Sequence, residues 1–210
     1  MIEITNLYKE FKNKCILKDV NISMEKGKIY GFVGKNASGK TVFFKLLCGF
    51  LSATKGNICI DGKEIGKDID FPEDCGVIIE NPGFIDNISG IKNLKILASI
   101  NRKIDENKIR DAIELVGLNP DDKRSVKSYS LGMKQKLAIA QAIMENPKIL
   151  VLDEPMNSLD EESVKKIRNI IIDMKNKGVT VLISSHIKED IEVLCDEVFN
   201  VFNGKIEHLK

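Results

Sequence analysis

Residues 34–41 place Gly34, Lys35, Asn36, Ala37, Ser38, Gly39, Lys40 and Thr41 in a row, a G-x-x-x-x-G-K-[ST] pattern. A polyphosphate needs many N–H donors at short range. Glycine tolerates positive φ, so Gly34 and Gly39 let the loop turn its backbone amides inward. Lys40 then reaches the β- and γ-phosphates of a nucleoside triphosphate such as ATP, and the Thr41 hydroxyl can ligate Mg²⁺. The flanks agree with this chemistry. Residues 29–33 read as a buried strand and 41–50 as an apolar helix, whose N-terminus would face the bound anion. A chance glycine-rich turn would carry neither flank.

A second constellation ends the apolar run 149–152 in Asp153, Glu154 and Pro155. A strand of that kind presents Asp153 at its carboxyl end, where open α/β sheets bind ligands. Asp153 can hold Mg²⁺ beside Thr41, and Glu154 can polarise water as a general base. A solvated pair of strand-end acids is the plain alternative. Three further segments stand nearby: Tyr129-Ser-Leu-Gly-Met-Lys-Gln-Lys136 before a helix over 137–145, Asn157-Ser-Leu-Asp160, and His186 after a strand over 179–183 and Ser184-Ser185. Taken singly, Ser130 and Asp160 are ordinary helix N-caps and His186 a surface imidazole.

In this order and spacing the motifs resemble the nucleotide-binding subunits of ABC transporters, over essentially all 210 residues. The resemblance implies that Ser130 and Gly132 contact a γ-phosphate held by an opposite protomer. It implies that Asp160 lies in the D-loop, that His186 contacts γ-phosphate, that Phe11 stacks on adenine (Tyr8 being a competing aromatic) and that Glu80 stands where a glutamine is usual, near the metal. Two departures are evident. Leu131 and Met133 replace a glycine and a glutamine of the usual signature, and Glu80 adds negative charge. Both are similar to the bacitracin- and lantibiotic-resistance branch. The resemblance further implies a homodimer or a paired ATPase subunit, a separate multi-span membrane permease, a docking segment at 80–100, and a cytoplasmic location on the membrane's inner face.

The elements that must position these groups are those of an α/β chain. The short apolar runs 75–79, 149–152 and 179–183 read as parallel strands buried on both faces. Residues 161–177 carry apolar positions at 164, 167, 170, 171 and 174, a helical stripe stopped by Gly178. Alternating segments at 2–5, 20–24 and 57–61 predict a mostly antiparallel sheet, and Asn203-Gly204 predicts a hairpin between 198–202 and 205–209. Residues 87–128 are polar and rich in helix formers, with helices expected at 91–101 and 105–117. The expectation is a P-loop NTPase core of the ABC ATPase type over 1–86 and 129–210, with an antiparallel β subdomain and a helical subdomain inserted at 87–128.

Composition narrows the alternatives. The 32 basic and 31 acidic side chains leave a formal charge of +1, so no nucleic-acid partner is expected. Five scattered cysteines without C-x-x-C spacing suggest buried thiols in a reducing compartment, not a metal site. No signal peptide or apolar run near 18 residues is visible. The rivals are a non-transport ABC ATPase, a phosphate-loop kinase using Arg102, Arg110 or Arg124, and a nucleotide-dependent module that gates a membrane protein. The segment around Ser130 argues against the kinase.

Overall fold

The structure, a computed structural model, describes residues 1–12, 14–80 and 83–210. In chain order the elements are β1 (Ile2–Phe11), β2 (Lys14–Met24), β3 (Ile29–Val33), α1 (Lys40–Leu47), β4 (Lys55–Ile60), β5 (Lys63–Glu64), β6 (Cys75–Ile78), α2 (Gly90–Asn101), α3 (Glu106–Leu115), α4 (Leu131–Ile143), β7 (Ile149–Asp153), α5 (Glu161–Asn176), β8 (Thr180–Ser184), α6 (Lys188–Leu194), β9 (Glu197–Phe202) and β10 (Lys205–His208). A 3₁₀ turn at Val126–Ser128 precedes α4.

Six strands form one sheet in the order β10-β9-β3-β8-β7-β6. All neighbours are parallel except the β9–β10 hairpin. Apolar residues on successive positions face opposite ways, and both faces are covered. Ile29, Leu150, Leu152 and Ile183 join one core with Leu94 of α2, Ile113 of α3, Leu137 of α4 and Ile167 of α5. Tyr30, Phe32, Val151 and Leu182 join the other, with Phe43 and Phe44 of α1 and Leu7, Leu17 and Ile58 of a second sheet. That second sheet is antiparallel, in the order β2-β1-β4-β5. Phe32 ties β3 to α1, its ring centroid 5.0 Å from that of Phe43 and 5.4 Å from that of Phe44. Truncating such a residue to alanine costs about 3–5 kcal/mol, and here it would also loosen the loop between strand and helix. Among the described residues, no helix is long and apolar enough to cross a membrane.

The antiparallel sheet, the buried parallel strands, the final hairpin and helices close to 91–101, 105–117 and 161–177 are all present. Four elements differ clearly in their bounds. β1 and β2 run well beyond 2–5 and 20–24, because register shifts between Ile4 and Leu7 and between Leu7 and Lys9 interrupt the alternation that marks a strand. Helix α1 ends at Leu47, with Cys48 as its cap, three residues short of the expected end. The helix expected at 137–145 begins at Leu131. Ser130 caps it by accepting from the Met133 N–H (3.2 Å), and Leu131 enters the first turn exposed. The segment around Ser130 is thus the first turns of α4 and not a loop before it. Its polar residues 134–136 conceal the helical stripe, which becomes apolar only from Leu137.

Candidate functional site

Strands β3, β8 and β7 are neighbours, so the loops leaving their carboxyl ends meet although they lie far apart in sequence. After β3 the chain turns at residues 35–38, where the Ser38 N–H reaches the Lys35 carbonyl at 3.1 Å. Gly39 then starts α1 at φ 115°, a conformation side chains disfavour, and no side chain caps the helix start. Lys40 is buried, its Nζ 2.7 Å from the Gly34 carbonyl and 3.4 Å from that of Lys35. Among the described residues, one buried side-chain oxygen has no hydrogen-bond partner, Ser38 Oγ in this loop. An uncapped helix N-terminus, an ammonium and an orphan hydroxyl in one turn form a donor set suited to phosphate oxygens.

The acids lie beside this loop. Thr41 Oγ1 donates to Asp153 Oδ2 at 2.6 Å, and Ser184 Oγ donates to Asp153 Oδ1 at 2.5 Å. Both carboxylate oxygens are therefore fixed by hydroxyls from adjacent elements. Glu154 has left-handed backbone at φ 52°, held because its N–H reaches both the carbonyl (3.2 Å) and the Oγ (3.0 Å) of Ser184. Glu154 Oε2 lies 2.7 Å from His186 Nδ1 and also accepts from the His186 backbone N–H at 3.2 Å. An ionised carboxylate only accepts, so Nδ1 is the donor and Nε2 is left facing outward.

A cleft of about 590 Å³ opens onto Asp153 and Glu154, lined also by Glu80, Leu131, Gln135 and Ser158. Glu80, with φ 61°, points its Oε1 at Lys45 Nζ of α1, 2.6 Å away. It shares the cleft with Asp153, and its bond is to the lysine. Gly132 sits in the first turn of α4 so close to the turn after β7 that an added Cβ would lie 2.7 Å from the Ser158 carbonyl oxygen. Asp160 caps α5, accepting from the Ser163 N–H at 2.8 Å, and that bond holds its carboxyl below the usual carboxylate range. Phe11 ends β1 exposed, with Lys9 Nζ 4.6 Å from its ring centroid. Lys9 pairs with Leu17, whose side chain would meet a Cβ on Gly39 at 3.2 Å, so Phe11 lies two residues beyond the strand position that backs the phosphate loop.

Lys40, Thr41, Asp153, Glu154 and His186 are therefore gathered by one chain. Ser130 and Asp160 are engaged as the caps of α4 and α5, and Phe11 lies exposed at the end of β1, none of them bonded to that group. Sequence reading missed Ser184, which serves both acids, and Lys45, which neutralises Glu80. It also missed Gln135, whose Nε2 donates to the Pro155 carbonyl at 2.9 Å and ties α4 to the turn after Glu154. The Ser184-Ser185 pair beside His186 was a usable signal for the first. The other two have no local pattern.

Comparison with known proteins fits this geometry. The ABC transporter family profile matches residues 17–157. The uncharacterized ABC transporter ATP-binding protein YybJ of Bacillus subtilis (strain 168) is 44% identical over 207 residues, 99% of this chain and 95% of that one. The lantibiotic transport ATP-binding protein SrtF of Streptococcus pyogenes is 40% identical over 207 residues, 98% of this chain and 89% of that one. Among solved structures, the dimeric post-hydrolysis state of the ATP-binding cassette MJ0796 bound to ADP and Pi superposes with a TM-score of 0.89, covering 100% of this chain and 98% of that one at 20% identity, a likeness of fold. With its phosphate loop, its paired acids and its whole length aligned to these relatives, the chain belongs to the ABC transporter family and is one of its ATPase subunits.

Proposed function

We propose that two copies of this chain, or this chain and a paired ATPase subunit, enclose two ATP molecules between them and drive a separate multi-span permease from the cytoplasmic face of the membrane. Each site draws the loop 34–39, Lys40, Thr41, Asp153, Glu154 and His186 from one protomer, and Ser130, Gly132 and Asp160 from the D-loop and α4 of the other. Phe11 stacks on the adenine. The observation that carries this reading is the grip of His186, by ring and backbone, on the same oxygen of Glu154, next to an Asp153 that Thr41 of the phosphate loop touches. The dimeric MJ0796 cassette with ADP and Pi supports the paired arrangement.

In this mechanism Lys40 leaves the loop carbonyls for the β- and γ-phosphates. Glu154 accepts a proton from the attacking water, His186 keeps its carboxylate aimed, and the γ-phosphoryl group passes to water as ADP departs. Thr41 and Asp153, whose oxygens already lie 2.6 Å apart, would hold Mg²⁺, and Glu80 lines the cleft onto which Asp153 opens. The metal would supply charge neutralisation at the phosphates. Closure on ATP and reopening after hydrolysis follow because γ-phosphate contacts exist in one state alone.

Two features support permease docking around segment 80–100, of which residues 81 and 82 lie outside the described residues. Helices α2 and α3, within the expected helical subdomain 87–128, stand between β6 and β7 in the chain. A groove of about 790 Å³ runs from edge strand β6 to α2 and α4, with exposed Phe50, Phe71 and Ile100 on it. Similarity to SrtF makes a peptide antibiotic the proposed cargo.

The decisive variant is Glu154→Gln. It should retain ATP affinity, lose about 10²–10⁴-fold in turnover, and accumulate an ATP-bound dimer on size-exclusion chromatography. Near-normal turnover would remove Glu154 from the base role.

A further inference from the structure

We propose that Arg168 and Asp190 are positioning residues for hydrolysis, acting through Ser185 on the turn that carries His186. The three side chains form a buried relay behind the site. Asp190 is 0% exposed, Ser185 4% and Arg168 8%. Arg168, on α5, donates from Nε (2.9 Å) and Nη2 (2.6 Å) to Asp190 Oδ1 on α6. The other oxygen, Oδ2, accepts from Ser185 Oγ at 2.7 Å. Ser185 Oγ in turn accepts from the Ile187 N–H at 3.0 Å, closing a small turn with His186 at its centre.

This turn sets both bonds that His186 makes to Glu154 Oε2, since one comes from the backbone N–H and the other from the ring. Asp190 fixes Ser185, Ser185 fixes the peptide units on either side of His186, and His186 fixes the carboxylate. A merely structural ion pair would not need this arrangement. Buried pairs are poor sources of stability, and apolar side chains of similar size hold two helices together as well or better. What an apolar pair cannot do is accept the hydrogen bond that Ser185 Oγ donates. The relay rests on the reading of Glu154 and His186 given above. Because small misplacements of an aligned group cost about 10²-fold in rate, loss of the relay should lower kcat by about 10- to 100-fold and leave KM for ATP unchanged.

The test compares the apolar double variant Arg168→Met/Asp190→Leu with Ser185→Ala, which keeps the ion pair and removes the link. Thermal unfolding, ATP affinity, kcat and the ring ¹⁵N signals of the two histidines, His186 and His208, are measured for each. The expected result is a double variant that folds cooperatively, with unchanged ATP affinity, a lowered kcat, and displaced His186 signals while those of His208 stay in place. A stable double variant with parental kcat and parental His186 signals would overturn the proposal. If the double variant does not fold, Ser185→Ala decides by the same two readouts. Adding Ser185→Ala to Glu154→Gln should give no further loss of turnover; a further loss would show that Ser185 does not act through Glu154. Should Glu154→Gln itself turn over normally, the base assignment falls, and the His186 signals still decide whether the relay holds the turn.

Discussion

Replacing Gly132 by alanine sets two opposing terms against each other at the contact between α4 and the turn after β7. Helix propensity favours alanine by about 1 kcal/mol at an interior position, and less in a first turn. Against this, the new Cβ would stand 2.7 Å from the Ser158 carbonyl oxygen, about 0.7 Å inside the 3.4 Å at which ordinary contact begins. The obstacle is backbone, so no rotamer change relieves it and one of the two segments must shift. Overpacking of this kind costs about 1–3 kcal/mol. The net expectation is a loss of about 1 kcal/mol, a fall in Tm of about 2–4 °C for a chain of this size. The displacement matters more for pairing than for stability. Either the Ser130 end of α4 or the turn at 157–159 must move, and both are proposed to meet the opposite protomer. Calorimetry gives the first number. Size-exclusion chromatography with ATP in the Glu154→Gln background gives the second, with the dimer fraction expected to fall sharply. A rise in Tm with unimpaired dimerisation would show that propensity wins, and that the close approach to Ser158 carries no functional weight.

Three further outcomes are expected. Ser130→Arg should block ATP-driven pairing while each monomer still binds nucleotide, and Lys40→Ala should weaken binding itself; if mixed dimers of the two form yet recover no activity, the composite site is refuted. Glu80→Gln should leave stability within about 0.5 kcal/mol, because the Lys45–Glu80 pair is partly solvated, and keep basal hydrolysis while altering stimulation by the permease. Hydrolysis lost as fully as in Glu154→Gln, with ATP still bound, would make Glu80 part of the chemistry. Cys15 is exposed and should react quickly with a disulfide reagent at pH 8. Cys48 and Cys195 are buried, and burial pushes the Cys195 thiol up to about 12, so both should react only on unfolding; labelling of Cys195 in the folded protein as fast as Cys15 would contradict the packing.

What could be read from sequence was what is local. The loop 34–41 has its strand before it and its helix after it, so eight residues and their flanks carry the whole argument. Strands buried on both faces announce themselves as continuous apolar runs, which is why β6, β7 and β8 were legible. Where a strand bends, the pattern fails. Asn6 and Asp19 take left-handed backbone within β1 and β2, and the apolar positions no longer alternate across those bulges. The start of α4 was hidden because a helix whose first turns face a cleft needs no apolar stripe there. Side-chain pairings were out of reach for a different reason. Thr41 and Asp153 are 112 residues apart, and Arg168 and Asp190 are 22 apart on different helices. Metal chemistry shared by a phosphate loop and a strand-end acid supplied the first pair, and nothing in the sequence supplied the second.

Backbone strain sorts the remaining residues by purpose. Among the described residues, twelve other than glycine have positive φ, and six of these are Asn or Asp, which tolerate it. The other six are Lys12, Ala37, Glu80, Arg102, Glu154 and Ser158. Arg102 caps α2 and Lys12 lies in the turn after β1, so each has an ordinary role at an element's end. The remaining four all border the site: Ala37 in the phosphate loop, and Glu80, Glu154 and Ser158 along one cleft. Each left-handed residue of this type costs about 1–2 kcal/mol. Such a cost persists only where surrounding bonds over-determine the conformation. At Glu154 those bonds are visible, from its N–H to Ser184 and from the Asn157 N–H to its carbonyl at 3.2 Å. Glycine would relieve the strain at any of the four, but it would also remove the carboxylates of Glu80 and Glu154. At both positions the chain keeps a carboxylate where its backbone would favour none, Glu154 held against His186 and Glu80 against Lys45, the expected mark of residues retained for what their side chains hold and not for folding.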